Sequence, residues 1–149
     1  EIENLSWNVL EQSHFVTAGK EHLEDERLKF FSSIEEFDSK EKISLLLLSS
    51  VLQYLRDPYK VLDNLINLKP NVIVIERTPF LKNSTQEHLR IQNNPTNVCK
   101  SSYPCWFFLR EKLEEKIISF GYEIKSRHTC NYDLSNEYRW GGAIFTRLS

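Results

Sequence analysis

A chain of 149 residues, 40% hydrophobic and 27% charged, has the length and apolar content of one globular domain. Its formal net charge of −2 carries no basic excess, which argues against a nucleic-acid partner. No apolar run nears the roughly 20 residues of a membrane span, and no basic-then-apolar leader opens the chain, so a cytoplasmic protein without membrane contact is expected.

In chain order, Trp7 to Leu10 reads as a short strand ending at Glu11. A helical stretch follows, with Phe15, Ala18 and Leu23 as its apolar positions, and Leu28 to Phe31 is a second strand. Ser33 and Glu36 have the spacing of a capping box. Ile43 to Leu48 is a continuous apolar run, as a strand buried on both faces would be. Asp57-Pro58 then suits a helix N-cap and first-turn proline, with Val61, Leu62, Leu65, Ile66 and Leu68 as apolar positions and Lys69-Pro70 as the stop. Val72 to Ile75 is another buried strand, ending at Glu76-Arg77-Thr78-Pro79.

Periodicity is lost from Phe80 to Trp106, a stretch too long for an ordinary connection. Leu109, Leu113, Ile117 and Ile118 then mark a helix closed by Gly121. Tyr122 to His128 alternates as a half-buried strand, and the loop 131–139 leads to a last strand around Trp140 to Leu148, antiparallel to it. Strands alternating with helices predict an α/β fold: a Rossmann-like, doubly wound, mostly parallel sheet with an antiparallel final strand pair.

Cys99, Cys105 and Cys130 have no framework spacing and are expected to be reduced thiols. His128 and Cys130 share a strand face, but no C-x-x-C pair accompanies them, so no metal site is expected. The N-x-[ST] matches at Asn4 and Asn83 matter only in a secreted protein. Methionine is absent even at position 1, which makes a fragment or a processed product the expected origin of the sequence.

In an open α/β sheet, ligands bind beyond the carboxyl ends of the strands. The first candidates are therefore Glu11 and Gln12, Ser32 and Ser33, Ser49 and Ser50, and Arg77 and Thr78. An acid in the position of Glu11 can accept both hydroxyls of a ribose diol. As a plain surface carboxylate it would instead stabilise the following helix N-terminus.

The segment from Leu46-Leu47-Leu48-Ser49-Ser50 through Tyr54-Leu55-Arg56-Asp57-Pro58, with the helix, Lys69-Pro70 and strand that follow, resembles the middle of class I S-adenosylmethionine-dependent methyltransferases. The closing helix, Gly121-Tyr122-Glu123 and the final strand pair resemble that family's ending. Trp7-Asn8-Val9-Leu10-Glu11-Gln12, Leu52-Gln53-Tyr54-Leu55 and Ser102-Tyr103-Pro104-Cys105-Trp106 look like segments of a group of methyltransferase-like proteins of unproven substrate.

The resemblance implies S-adenosylmethionine as cofactor, with Glu11 on the ribose and Gln12 beside it. It puts Ser32 and Ser33 near the adenine, and Ser49 and Ser50 beside the methionine part and methyl group. Arg77, Arg90, Gln92, Tyr103 and Trp106 would meet the acceptor, with 80–106 a substrate-side insertion or lid on a single 1–149 domain. The family's opening strand and glycine-rich cofactor turn have no counterpart in this sequence, so the first βα unit is missing from the resemblance. That strand would lie between those ending at Glu11 and Ser49, a gap of about 9–10 Å.

Methyl transfer needs no enzyme nucleophile, so no triad is expected, and His128, Tyr103 and Glu76 are the candidate bases. A structural role for His128, loop packing for Tyr103, and core anchoring by Trp106, Phe107 and Phe108 are the competing readings. A small-molecule or glycan acceptor is expected, and a homo-oligomer is left open. Two other functions compete: a non-catalytic methyltransferase-like binding module, and a nicotinamide-dependent Rossmann enzyme. The latter is opposed by the antiparallel ending and by the lack of any tyrosine with lysine four residues on.

Overall fold

Short apolar runs and helix caps set the order of elements in the computed structural model, which describes residues 5–37, 42–94, 100–130 and 135–148. Asn4, Cys99 and the first residues of the 131–139 loop lie outside these. The chain divides into two units, Glu1–Glu41 and Lys42–Ser149.

In the first unit, β1 (Trp7–Leu10) pairs in parallel with β2 (Leu28–Phe31), from Trp7↔Leu28 to Leu10↔Phe31. The crossover is helix α1 (Ser13–His22). Its buried positions are Val16 and Gly19, whereas Phe15 and Leu23 are exposed, which corrects the apolar face expected from sequence. The cause is local: a Cβ on Gly19 would come within 2.5 Å of the Phe30 ring, so the absence of a side chain there lets the helix press onto β2. The turn into β2 is tied by Asp25, whose carboxylate accepts from the Arg27 and Leu28 backbone N–H groups, both at 2.7 Å. After β2 the capping residues form only a turn. Ser33 Oγ accepts from the Glu36 N–H at 3.3 Å, while the Glu36 carboxylate bonds Ser32 N and Oγ instead of Ser33.

The second unit is built on a four-stranded sheet of β3 (Leu45–Ser49), β4 (Val72–Leu81), β7 (Tyr122–Thr129) and β8 (Tyr138–Arg147), in the order β3-β4-β8-β7. β3 and β4 are parallel, and β8 is antiparallel to both β4 and β7. The sheet is thus mixed, with one parallel pairing and two antiparallel ones, which corrects the mostly parallel sheet expected from sequence: β8 inserts between β4 and β7 and runs against both. Helix α2 (Pro58–Asn67) starts as its sequence dictates, with Asp57 accepting from the Lys60 N–H at 3.2 Å and Pro58 in the first turn. It buries Leu62, Leu65 and Ile66, the i, i+3, i+4 stripe of an amphipathic helix. Helix α3 (Arg110–Ile118) buries Leu113 and Ile117.

Ile73, Ile75, Phe108 and Phe145 complete this core, each nearly inaccessible and each stabilising by about 1.5–3 kcal/mol. Tyr122 is equally buried, and its hydroxyl donates to the Pro70 carbonyl at 2.7 Å.

Two expectations need correction. β3 is not buried on both faces: Leu48 is buried, but Leu45 and Leu47 on the opposite face are exposed. Among the described residues β3 is an edge strand with β4 as its one neighbour. The described residues between Phe80 and Trp106 are not irregular either. β4 runs on to Leu81, and β5 (His88–Asn93) pairs antiparallel with β6 (Ser102–Phe107). The alternation is inverted there, because the half-buried positions of β5 are the polar His88 and Gln92 while the apolar Leu89 and Ile91 are exposed.

Candidate functional site

In the second unit β3, β4 and β7 share one direction, because β8 runs antiparallel to both of its neighbours. Their carboxyl ends therefore fall on one edge of the sheet. There Ser49 is opposite Glu76, and His128 is opposite Gly142. The row Ser49, Glu76, Gly142, His128 crosses all four strands.

Glu76 and His128 stand two strands apart, about 9–10 Å by strand spacing. Their side chains nonetheless meet across β8, with His128 Nε2 3.0 Å from Glu76 Oε2. Gly142 permits this contact. A Cβ there would collide with the Ile75 carbonyl oxygen and come within 2.6 Å of the imidazole. The imidazole is about a third exposed, yet Nε2 is shielded and forms no well-aligned hydrogen bond. Its exposed part therefore lies away from Glu76.

The β4 backbone is bent to present Glu76. The register with β8 shifts between Ile75 and Thr78, and Arg77 takes φ 50° within that bulge. Gln53, fully buried in the 3-10 turn Leu52–Tyr54, donates to the Arg77 carbonyl at 3.1 Å, and Thr78 Oγ1 lies 3.3 Å from the Glu76 carbonyl. Ser50, also at positive φ (55°), donates its N–H to the Glu76 carbonyl at 3.0 Å. Three elements thus fix one bulge. Gln53 and Gly142 were not singled out as site residues from sequence. Leu-Gln-Tyr-Leu was visible as a motif, but the strand register that gives Gln53 and Gly142 a role was not.

In the first unit, Glu11 follows β1 and is exposed. Its Oε2 accepts from the Gln12 N–H at 2.6 Å, and Gln12 is the N-cap of α1. The helix-stabilising role is therefore present, and Oε1 makes no hydrogen bond among the described residues. Ser32 and Ser33 are half-buried, and Ser32 is engaged by Glu36, whose carboxyl those bonds hold below its usual range.

No protein-family model matches the sequence, and no curated protein matches it. Solved structures do. A SAM-dependent methyltransferase from Methanosarcina mazei aligns over 95% of this chain and 80% of its own length, with TM-score 0.62 at 12% identity. The glycopeptide N-methyltransferase MtfA, complexed with sinefungin, covers 95% of this chain and 76% of its own at TM-score 0.62 and 9% identity. LepI in complex with SAM covers 96% of this chain at TM-score 0.58 and 11% identity, and there the chain spans 36% of the other protein's length.

The chain has the class I methyltransferase fold.

On this methyltransferase fold the acceptor residues expected from sequence separate into three places. Gln92 and Tyr103 are register partners on the β5–β6 hairpin. Tyr103 stands edge-on to Tyr54 with ring centroids 5.3 Å apart, and its hydroxyl donates to Asn94 Oδ1 at 3.1 Å. Tyr54 and Tyr103 line a cavity of about 300 Å³, and burial pushes the Tyr54 hydroxyl pKa up. Arg90 is ion-paired with Glu137 and lies over the Phe107 ring. Trp106 lines a separate cleft, while Phe107 and Phe108 are core. Arg77 is exposed at the bulge. Of the three candidate bases, Glu76 and His128 come together, and Tyr103 belongs to the hairpin group. Among the described residues no three His, Cys, Asp or Glu side chains gather to hold a metal, and no helix is long and apolar enough to cross a membrane.

Proposed function

We propose that this chain serves S-adenosylmethionine-dependent methyl transfer to a small-molecule acceptor. The observation that carries the reading is the Glu76–His128 contact at the carboxyl edge of a methyltransferase-fold sheet. Neighbours on this fold include one crystallised with S-adenosylmethionine and one with 1,6-didemethyltoxoflavin and S-adenosylhomocysteine, which supports both the cofactor and the acceptor class.

The residues suit the cofactor's chemistry. Glu11 is exposed with one carboxylate oxygen uncommitted, an acceptor suited to a ribose hydroxyl, with Gln12 beside it. Ser32 and Ser33 are assigned to the adenine. Ser49 and Ser50 offer hydroxyls for the methionine part, and the positive φ of Ser50 turns the chain away from the strand there. When bound, S-adenosylmethionine supplies a methyl group already activated on sulfur, so the protein has only to align the acceptor and remove its proton. His128 takes that proton on its exposed side, and Glu76 orients the ring and stabilises the imidazolium that forms. Arg77 and the hairpin residues Arg90, Gln92 and Tyr103 are assigned to the acceptor side, with 80–106 as the element that covers it, while Trp106 belongs to the separate cleft.

Calorimetric titration with S-adenosylmethionine tests the cofactor assignment. Saturable binding is expected, weakened about 10-fold or more by Glu11→Ala, the loss of a charge-assisted hydrogen bond. A folded protein that takes up neither S-adenosylmethionine nor S-adenosylhomocysteine would overturn it.

A further inference from the structure

Apart from the strand-edge row, the second unit has a cleft of about 860 Å³ between the start of α2, the turn before β5, Trp106 and the start of α3. That volume is in the range of small-molecule sites. Its floor is fixed by Glu87, which accepts from the Tyr59 hydroxyl at 2.5 Å, the Leu109 N–H at 3.1 Å and Lys112 Nζ at 2.5 Å. With Glu87 so engaged and Lys112 neutralised by it, the charges left on the rim are Arg56, Lys60 and Asp57. Asp57 is committed to capping α2. Arg56 and Lys60 are exposed and have no ion-pair partner among the described residues. With the Asp57 carboxylate counted against Arg56 and Lys60, the rim keeps a net charge of +1.

The lining also includes the apolar Trp106 and Leu109. Trp106 is half-buried there, and on the same outward face of the hairpin Leu89 is its register partner, with Ile91 paired to Pro104 next along. Leu89 is 50% and Ile91 63% exposed, so an apolar strip leads out of the cleft along β5 and β6. A cleft lined by two unpaired cations and a tryptophan, continued by an aliphatic strip, matches a ligand with both characters.

We infer that this cleft binds a small amphiphile, with an anionic group at Arg56 and Lys60 and an apolar body against Trp106 and Leu89. The site is independent of the cofactor assignment, and its test does not require methyl transfer. Octanoate is the probe, with 1-octanol as its uncharged counterpart, and tryptophan fluorescence and calorimetry are the readouts. Octanoate should bind about 10-fold more tightly than 1-octanol, the share expected of charge-assisted contacts. Arg56→Gln with Lys60→Gln, both exposed and so tolerated by the fold, should erase that difference while leaving S-adenosylmethionine binding and thermal stability unchanged. Trp106→Phe should remove the fluorescence response but retain calorimetric binding. Equal affinity for the two probes, no binding of either, or charge selectivity that survives in the double variant would each overturn the inference. So would association of the protein with anionic phospholipid vesicles but not with octanoate.

Discussion

The Lys42–Ser149 unit rests on interlocked apolar side chains, with Leu62, Ile73, Phe108, Ile117 and Phe145 all shut off from water. Among the described residues of Glu1–Glu41 the buried ones are Val16, Gly19 and Phe30, while Trp7, Leu10, Phe15 and Leu23 remain exposed. Its turns are held instead by carboxylates that accept backbone N–H groups, Asp25 and Glu36. One unit is therefore fixed by packing, the other by local hydrogen bonds around a two-stranded pair. The proposed proton-transfer pair sits in the first kind of setting and the proposed ribose ligand in the second.

Two glycines break that comparison most sharply. At Gly142 an added Cβ meets the Ile75 carbonyl, a backbone group inside a four-stranded sheet that cannot step aside. Gly142→Ala should cost about 3 kcal/mol in chemical denaturation and displace His128 from Glu76. At Gly19 the obstacle is the Phe30 ring, a side chain that can turn, and alanine is better than glycine in a helix by about 1 kcal/mol. Gly19→Ala should therefore cost no more than about 1 kcal/mol. Equal losses at the two positions would mean that the first unit is packed as tightly as the second.

Tyr122→Phe is a smaller perturbation of the packed unit. It removes the hydroxyl that satisfies the Pro70 carbonyl and leaves that acceptor buried without a partner, at about 1–2 kcal/mol by thermal melting. Removing a helix cap costs less. Asp57→Ala should lose about 1 kcal/mol, because the side chain bonds the Lys60 N–H. Gln12→Ala should leave stability nearly unchanged, since the Gln12 side chain makes no cap hydrogen bond on α1. Weaker S-adenosylmethionine binding in that variant would then report on the ligand alone.

The packed unit was also the more legible one in sequence. Its helix cap at Asp57-Pro58, its stop at Lys69-Pro70 and its strand cores are one-dimensional signals with a local physical cause. The exposure of Leu45 and Leu47 was not legible, because a run of leucines does not say which neighbours a strand will have. The meeting of Glu76 with His128 was equally hidden. Both were candidates individually, but only the β4–β8–β7 register and the side-chain gap at Gly142 bring residues 52 positions apart to 3.0 Å. In the first unit, pattern misjudged the buried face of α1, since glycine adds nothing to an apolar count yet permits the closest approach.

Acid should separate the two kinds of stabilisation by the smallest margin. Hydrogen bonds from the Arg27 and Leu28 backbone hold the Asp25 carboxyl below its ordinary 3.8, and bonds from Ser32 hold Glu36 below its ordinary 4.5. A carboxylate lowered in the folded state contributes stability that is fully present above its unfolded pKa and is lost as pH falls through the lower folded value. Both groups are exposed, so the effect is one of local order and not of global unfolding. Hydrogen-exchange protection at Arg27, Leu28 and Ser32 should therefore fall below about pH 4 while Ile73 and Ile75 in β4 stay protected. Asp25→Ala, which removes the accepting oxygen, should expose the Arg27 and Leu28 amides at neutral pH and leave Ser32 unaffected, because Ser32 depends on Glu36. If β4 lost protection at the same pH, the two units would be responding as one, and the contrast between packing and local hydrogen bonding would not govern their stability.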